Sequence, residues 1–180
     1  MADIPEYYWD ACMWIALINQ EAGRDDACRY VLQRAQRNEV QIWTSSFTLA
    51  EVFKKRCIPG TQETGISASN DANFEDFIEQ PFVTQVQVDR DVGVAARRLL
   101  RRYPVLKKPQ DAVHLATALI YSLDELHTFD GSDLIRLDGQ IEKPDGELLK
   151  ICEPPSPPDP NAGTLFEGSH DGKNVTKKTG

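Results

Sequence analysis

Residues 109–122 read PQDAVHLATALIYS, and they carry a helical pattern with two distinct sides. Pro109 suits the first turn of a helix, and most of the residues after it are apolar, so the stretch predicts a buried helix over Pro109–Ser122. One narrow polar edge interrupts the apolar surface at helical spacing: Asp111, His114, Thr117 and Tyr121. A buried helix with one polar edge predicts that this edge faces a cleft.

Short β-like runs alternate with helical ones on both sides of this helix. This alternation predicts an α/β fold, in which helices cover both faces of a parallel sheet. The predicted strands are Tyr7–Trp9, Val40–Thr44, Phe82–Val88, Glu125–Thr128 and Leu148–Cys152. The other predicted helices are Ala11–Asn19, Asp25–Arg37, Thr48–Cys57, Asn73–Glu79 and Asp91–Tyr103.

The length and composition predict one domain followed by a tail. With 180 residues, of which 41% are hydrophobic and 27% charged, the chain suits a single core, which we place in residues 1–152. Residues 153–180 hold five prolines and four glycines with few strongly apolar side chains, which predicts a disordered tail. Ile58–Ala72 is rich in Gly, Ser and Asn and longer than a usual connection, which predicts a binding loop or disorder.

Charge, cysteine spacing and hydropathy exclude several classes of protein. The net charge of −8 argues against a protein that coats nucleic acid without specificity. The longest apolar run, Ala11–Ile18, is far shorter than the ~20 residues that span a bilayer, so we expect a cytoplasmic protein without a membrane partner. The four cysteines are scattered and predict neither a disulfide framework nor a zinc site: Cys12, Cys28, Cys57 and Cys152.

Four acidic residues occupy places where a metal site can form. Asp10 follows the first predicted strand and Asp130 follows the fourth, and ligands of parallel sheets bind outside the carboxyl ends of the strands. Glu51 and Asp111 lie near the starts of predicted helices. If the four carboxylates converge, their oxygen atoms suit a hard divalent cation.

Each acid taken alone also has a structural explanation. Asp10 can cap the helix that follows it, and Glu51 follows Thr48 at the spacing of a capping box. A negative charge at Asp111 is favourable in the first turn of a helix, and Asp130 can be a turn residue.

Four segments resemble a known family: YYWDACMWI at residues 7–15, TSSFTLAEV at 44–52, DAVHLATAL at 111–119 and HTFD at 127–130. In this order and at these separations they are similar to the PIN-domain ribonucleases, including VapC-type toxins, over roughly residues 5–137. The resemblance implies a three-layer α/β/α sandwich with a central, mostly parallel sheet. It also implies Mg²⁺ or Mn²⁺ in an acidic cleft and cleavage of single-stranded RNA.

The resemblance assigns the catalytic and metal-binding positions to four acids: Asp10, Glu51, Asp111 and Asp130. We expect the first three to hold the principal metal, and Asp130 to hold a second metal or orient the attacking water. Asp133 lies one turn beyond Asp130 and can share or replace its position. Thr128 is the expected outer-shell hydrogen-bond donor.

RNA is the expected substrate, and an antitoxin protein and a second copy of the chain are further partners compatible with the resemblance. Arg90–Lys108 contains seven of the chain's 20 Lys and Arg residues and leads directly into Asp111, so it can position phosphates. Four arginines fall on one face of its helix: Arg97, Arg98, Arg101 and Arg102. A solvated helix face is the alternative explanation, and Lys54–Arg56 can extend the basic rim.

Two other functions compete with the ribonuclease. A phosphatase with an aspartyl nucleophile would also place an aspartate after the first strand, but it needs a second one two residues later, where this chain has Cys12. A PIN fold that binds RNA or protein without cutting is the second alternative. Many members carry Thr or Ser-Asn directly after the first aspartate, whereas this chain has Ala11 and Cys12.

Overall fold

The sheet has five strands, and every pairing in it is parallel. The computed structural model describes residues 4–52 and 67–158. Its strands are β1 (Glu6–Trp9), β2 (Gln41–Ser45), β3 (Val83–Val86), β4 (Glu125–His127) and β5 (Lys150–Cys152). They lie in the order β3-β2-β1-β4-β5, so β1 is central and β3 and β5 are the edges.

The helices follow the predicted order along the chain. They are α1 (Ala11–Ile18), α2 (Asp25–Gln36), α3 (Ser46–Glu51), α4 (Ala68–Ile78), α5 (Arg90–Arg102) and α6 (Pro109–Ile120). A short 3₁₀ helix at Ile135–Leu137 lies between β4 and β5. The predicted α/β fold is therefore confirmed, with most element ends within a few residues of the prediction.

Helices cover both faces of the sheet and form two separate cores. Because side chains alternate along a strand, Tyr7 and Trp9 of β1 enter one core while Tyr8 enters the other. The first core joins β1 to residues of α1, α2 and α4, and the second joins it to residues of α5 and α6. The result is a three-layer α/β/α sandwich.

Helix α4 begins earlier than the sequence predicts. The expected start was Asn73, after a loop over Ile58–Ala72, but the helix already begins at Ala68. The Ser67 side chain accepts a hydrogen bond from the Asn70 backbone N–H at 3.2 Å, which stabilises the earlier start. The rest of that predicted loop, the end of the predicted helix Thr48–Cys57 and the basic residues at 54–56 lie outside the described residues, as do residues 159–180.

The register of the two central strands determines where the cleft forms. Trp9 of β1 pairs with His127 of β4, so the residues that follow them, Asp10 and Thr128, leave the sheet side by side. The first turn of α6 contributes Asp111 to the same region, because Asp111 and Asp130 both contact Lys108. None of the described helices has the length and apolar character needed to cross a membrane.

Candidate metal centre

Asp10 is a buried carboxylate that caps α1. Its Oδ1 accepts hydrogen bonds from the backbone N–H groups of Cys12 at 3.0 Å and Met13 at 3.3 Å, which confirms the predicted capping function. The Cys12 thiol also donates to Oδ1, at 2.8 Å, and Cys12 Sγ accepts from the Phe129 N–H at 3.0 Å. Burial raises the pKa of Asp10 above its ordinary value, although the nearby His114 and the hydrogen bonds to the carboxylate act in the opposite direction.

Thr128 connects Asp10 to Asp130. Its hydroxyl donates to Asp10 Oδ2 at 2.6 Å and accepts from the Asp130 backbone N–H at 2.9 Å. Thr128 is fully buried, so water does not compete for these bonds. It therefore orients the carboxyl ends of β1 and β4 relative to each other, consistent with the predicted outer-shell position.

Three carboxylates converge near the carboxyl end of β4 and the start of α6. The side chains of Asp111, Asp130 and Asp133 each offer an oxygen atom, and these oxygens lie within 4.8 Å of one another. The Lys108 ammonium contacts all three, at 3.4 Å from Asp111, 2.9 Å from Asp130 and 3.1 Å from Asp133. We call these three aspartates the acid cluster.

Two members of the acid cluster, Asp111 and Asp130, have pKa values that are shifted in opposite directions. Burial and the nearby Asp130 raise the pKa of Asp111 to about 6, although Lys108 acts in the opposite direction. Burial also acts to raise the pKa of Asp130, but hydrogen bonds from Ser132 and Lys108 outweigh it and bring that pKa down to about 2. Two carboxyls a few ångströms apart therefore ionise in different pH ranges.

Glu51 is held by a buried histidine of α6. The Nε2 of His114 lies 2.6 Å from Glu51 Oε2, and its Nδ1 lies 2.8 Å from the Tyr8 hydroxyl. Burial lowers the pKa of His114, but Tyr8 and Glu51 at its two nitrogens raise it to about 10 overall. The capping box expected between Thr48 and Glu51 is wrong, because Thr48 lies inside α3 and accepts from the Thr44 hydroxyl at 3.0 Å.

The donor set of the acid cluster fits a divalent cation. It consists of carboxylate oxygens alone, which Mg²⁺ and Mn²⁺ prefer, and it already surrounds one positive group, the Lys108 ammonium. Asp111 Oδ2 is buried, and its contact with the Lys108 ammonium is, at 3.4 Å, too long for a well-formed hydrogen bond. A buried carboxylate oxygen with only a distant donor is a feature that a metal ion would satisfy.

The structure brings only part of the predicted site into one cluster. Among the described residues, the carboxylates that converge are those of Asp111, Asp130 and Asp133. Asp10 lies outside this cluster and is connected to Asp130 through Thr128. Asp133 is predicted to share the position of Asp130, and the contact of both carboxylates with Lys108 is consistent with this prediction. Glu51 is linked to α6 through His114, one turn after Asp111.

The four arginines predicted to bind RNA are exposed on α5, as the helical pattern predicts: Arg97, Arg98, Arg101 and Arg102. Arg102 lines a surface pocket together with Leu119 and Ile120, at the end of α6 opposite to Asp111. With a rise of 1.5 Å per residue, that end lies roughly 13 Å along the helix from Asp111. At least this arginine is therefore separated from the acid cluster by much of the length of α6.

Sequence reasoning missed three contributions to the site. Lys108 was counted only as one of the basic residues, and His114 only as part of a polar edge. Cys12 was noted only as a departure from the residues that many family members carry after the first aspartate, yet its thiol donates to Asp10. The position of Lys108 three residues before Asp111 was an available signal, because such pairs are neighbours on a helix.

A second cluster lies on the sheet at Glu125, His127 and Cys152, whose ligand atoms are within 4.8 Å of one another. The sequence showed no histidine near a cysteine, but the pairing of β4 with β5 places His127 opposite Cys152. The Trp9 indole N–H donates to His127 Nδ1 at 3.3 Å, so the ring proton belongs on Nε2, which donates to Glu125 at 2.9 Å. The histidine therefore has both nitrogens in use without a metal.

The described cysteines, Cys12, Cys28 and Cys152, are free thiols.

The fold and the acid cluster together define an α/β domain with a group of converging carboxylates at the carboxyl edge of a parallel sheet. Residues 7–140 match the PIN domain, which is most of the chain. The chain therefore belongs to the PIN-domain family, a family of nucleases.

Two solved structures are similar in fold. VapC20 from Mycobacterium tuberculosis, described as a toxin that cleaves the sarcin-ricin loop, is 19% identical with a TM-score of 0.55, and the match covers 69% of this chain and 90% of that one. A toxin-antitoxin complex from Klebsiella pneumoniae contains a chain that is 21% identical with a TM-score of 0.52, covering 74% of this chain and 92% of that one. A comparison with curated proteins gives no match. These likenesses show the fold.

Proposed function

We propose that this protein is a Mg²⁺- or Mn²⁺-dependent endoribonuclease that hydrolyses phosphodiester bonds of single-stranded RNA. The observation that carries the proposal is the acid cluster of Asp111, Asp130 and Asp133, which surrounds one positive group at the carboxyl edge of a PIN-domain sheet. Three neighbouring carboxylates repel one another, and the single charge of Lys108 offsets that repulsion only in part.

The residues of the cleft divide into ligands and groups that orient them. Asp111 and Asp130 would hold a cation directly, with Asp133 beside them and Asp10 and Glu51 approaching from β1 and α3. When bound, the cation supplies charge stabilisation at the phosphate and activation of water. Thr128 and His114 would orient Asp10 and Glu51 through the bonds described above.

The family and its relatives support RNA as substrate and an antitoxin as partner. VapC20 is described as a toxin that cleaves the sarcin-ricin loop, and the Klebsiella pneumoniae structure is a toxin-antitoxin complex. We extend both properties to this chain, which would act as the toxin of a toxin-antitoxin pair. The expected homodimer stays a prediction.

A module that binds without cutting is the second candidate, and one observation favours it. Both oxygens of Asp10 accept hydrogen bonds, and the Oε2 of Glu51 bonds to His114, so two of the predicted ligands are already engaged within the protein. If those bonds persist with metal present, the cation would have ligands from the acid cluster alone.

A cleavage assay on a pool of cellular RNAs separates the two candidates. The wild type should cut with Mg²⁺ or Mn²⁺ and should stop in excess EDTA. Asp111→Asn should not cut, because it removes the charge of one ligand. The matched control is Asp76→Asn at an exposed position of α4, which makes the same change away from the acid cluster and should cut normally. Undiminished cleavage in EDTA, or by Asp111→Asn, would contradict the proposed function.

A further inference from the structure

Lys108 occupies an unusual position for a half-exposed lysine. Its ammonium lies within 3.4 Å of a carboxylate oxygen from each of the three aspartates in the acid cluster. Surface lysines commonly pair with one acid, and such single pairs contribute little. Three contacts to one ammonium indicate that the side chain fills the position between the carboxylates.

The local sequence explains how the side chain reaches this position. Lys108 precedes Pro109, and a residue before proline is confined to extended backbone, which Lys108 adopts with φ −101° and ψ 128°. Pro109 then starts α6, so Asp111 lies in the first helical turn, three residues after Lys108. The Lys108-Pro109 pair thus places the lysine at the N-terminal end of α6, the helix that carries Asp111.

The ammonium compensates the acid cluster incompletely. One positive charge faces three carboxylates, and its contact with Asp111 is the longest of the three. That contact is to Asp111 Oδ2, a buried oxygen with no other hydrogen-bond partner within the described parts of the chain. A doubly charged ion at the same place would neutralise more charge and bind this oxygen at a shorter distance.

We propose that Lys108 is a built-in competitor of the divalent cation: its ammonium balances the acid cluster in the metal-free protein and must leave when metal binds. This inference rests on the proposed function, because it assumes that the acid cluster is the metal site. Its consequence is that Lys108 weakens metal affinity and so raises the metal concentration at which the cleft fills. The same contact keeps the metal-free protein stable.

Calorimetric titration of Mn²⁺ into the full-length protein without RNA tests the competition directly. Lys108→Met removes the charge and keeps a long side chain, and it should bind Mn²⁺ on the order of tenfold more tightly than the wild type. Lys108→Arg keeps a positive charge and should remain close to the wild type. Lys107→Met is the matched control, because Lys107 is exposed and has no ion pair with the described residues.

Thermal unfolding in EDTA provides a second, independent readout. Lys108→Met should melt at a lower temperature than the wild type and Lys107→Met, because the three carboxylates then repel one another without a counter-charge. Saturating Mn²⁺ should remove that deficit. A purely structural lysine would lower the melting temperature with and without metal and leave Mn²⁺ affinity unchanged.

The outcomes distinguish failure of this inference from failure of the proposed metal-dependent function. If wild type and Lys108→Met bind Mn²⁺ equally well, competition is refuted and the metal-dependent function stands. If Lys108→Met binds Mn²⁺ more weakly, Lys108 supports the site and the inference is again refuted. If neither protein binds Mn²⁺, the proposed function fails, and the competition fails with it.

Discussion

Thr128→Val tests whether one hydroxyl holds the two halves of the cleft together. Thr128 donates to Asp10 at 2.6 Å and accepts from the Asp130 backbone at 2.9 Å, and it is fully buried. Valine has nearly the same shape, so the substitution removes these two bonds without opening a large cavity. It leaves one oxygen of a buried carboxylate without its donor.

The expected cost follows from the charge of the acceptor. A hydrogen bond to a charged group contributes about 1.5–3 kcal/mol, and an unsatisfied buried partner adds to the loss. We therefore expect Thr128→Val to lower the free energy of unfolding by about 2–3 kcal/mol. For a chain of this length that corresponds to a melting temperature lower by about 4–12 °C.

The assay compares Thr128→Val with Thr117→Val, which is the same change at another fully buried threonine. The Thr117 hydroxyl donates to the Val113 carbonyl inside α6, at 2.8 Å, so its loss affects no charged group. Its removal should cost less than about 1 kcal/mol. Calorimetric Mn²⁺ titration should show a 10- to 100-fold weaker affinity only for Thr128→Val, roughly the effect of losing an outer-shell partner.

The pH dependence gives a further check on the cause. The Thr128 hydrogen bond lowers the pKa of Asp10 against the effect of burial, so its loss should raise that pKa further. The stability difference from the wild type should therefore shrink at low pH, where Asp10 is protonated in both proteins. If Thr128→Val is no less stable than Thr117→Val and binds Mn²⁺ normally, the connecting function of Thr128 is refuted.

Three further predictions concern the acid cluster, the basic helix and the tail. The pKa of Asp111 rises from 3.8 to about 6 on folding, so protonation of this carboxyl stabilises the folded state. This contribution to the free energy of unfolding is complete below pH 3.8 and is lost as the pH rises through about 6. In EDTA the wild type should thus lose stability relative to Asp111→Asn across that window, and parallel melting curves would contradict this. Replacing Arg97 and Arg98 with Ala, in an Asp10→Asn background that prevents cutting, should weaken RNA binding and flatten its salt dependence. Equal affinities and salt slopes would instead indicate a solvated helix face. Removing residues 159–180 should leave the melting temperature unchanged, whereas removal from Glu153 onward also deletes the buried Pro154 and should lower it.

The sequence predicted the individual elements because the signals for them are local. Apolar periodicity identified α6 and its polar edge, and Asp111 and His114 of that edge do make polar contacts in the cleft. Thr117 belongs to the same edge in sequence, yet its hydroxyl bonds within its own helix. Periodicity indicates which side of a helix a residue lies on, and it carries no information about its partner.

The start of α4 shows a different limit of local signals. Residues from Ile58 to Ala72 have the composition of a loop, but Ser67 caps a helix whose Phe74 and Ile78 are buried. The stabilisation of that first turn comes from one hydrogen bond and from packing further along the helix. The residue composition of this stretch reveals neither the hydrogen bond nor the packing.

The sequence by itself determined the strand and helix order, the α/β class and the placement of Asp10 and Asp130 after strands. These properties depend on residues close together in the chain, where alternation and capping act over a few positions. Only the tertiary structure decided which strands are neighbours, because strand order follows from the packing of two cores on one sheet. That order joins Asp10 to Asp130 through Thr128, and the folded cleft brings Lys108 among three aspartates. Contacts between residues more than a hundred positions apart, such as Asp10 and Thr128, leave no periodic trace in the sequence, since they arise only when the whole sheet has formed.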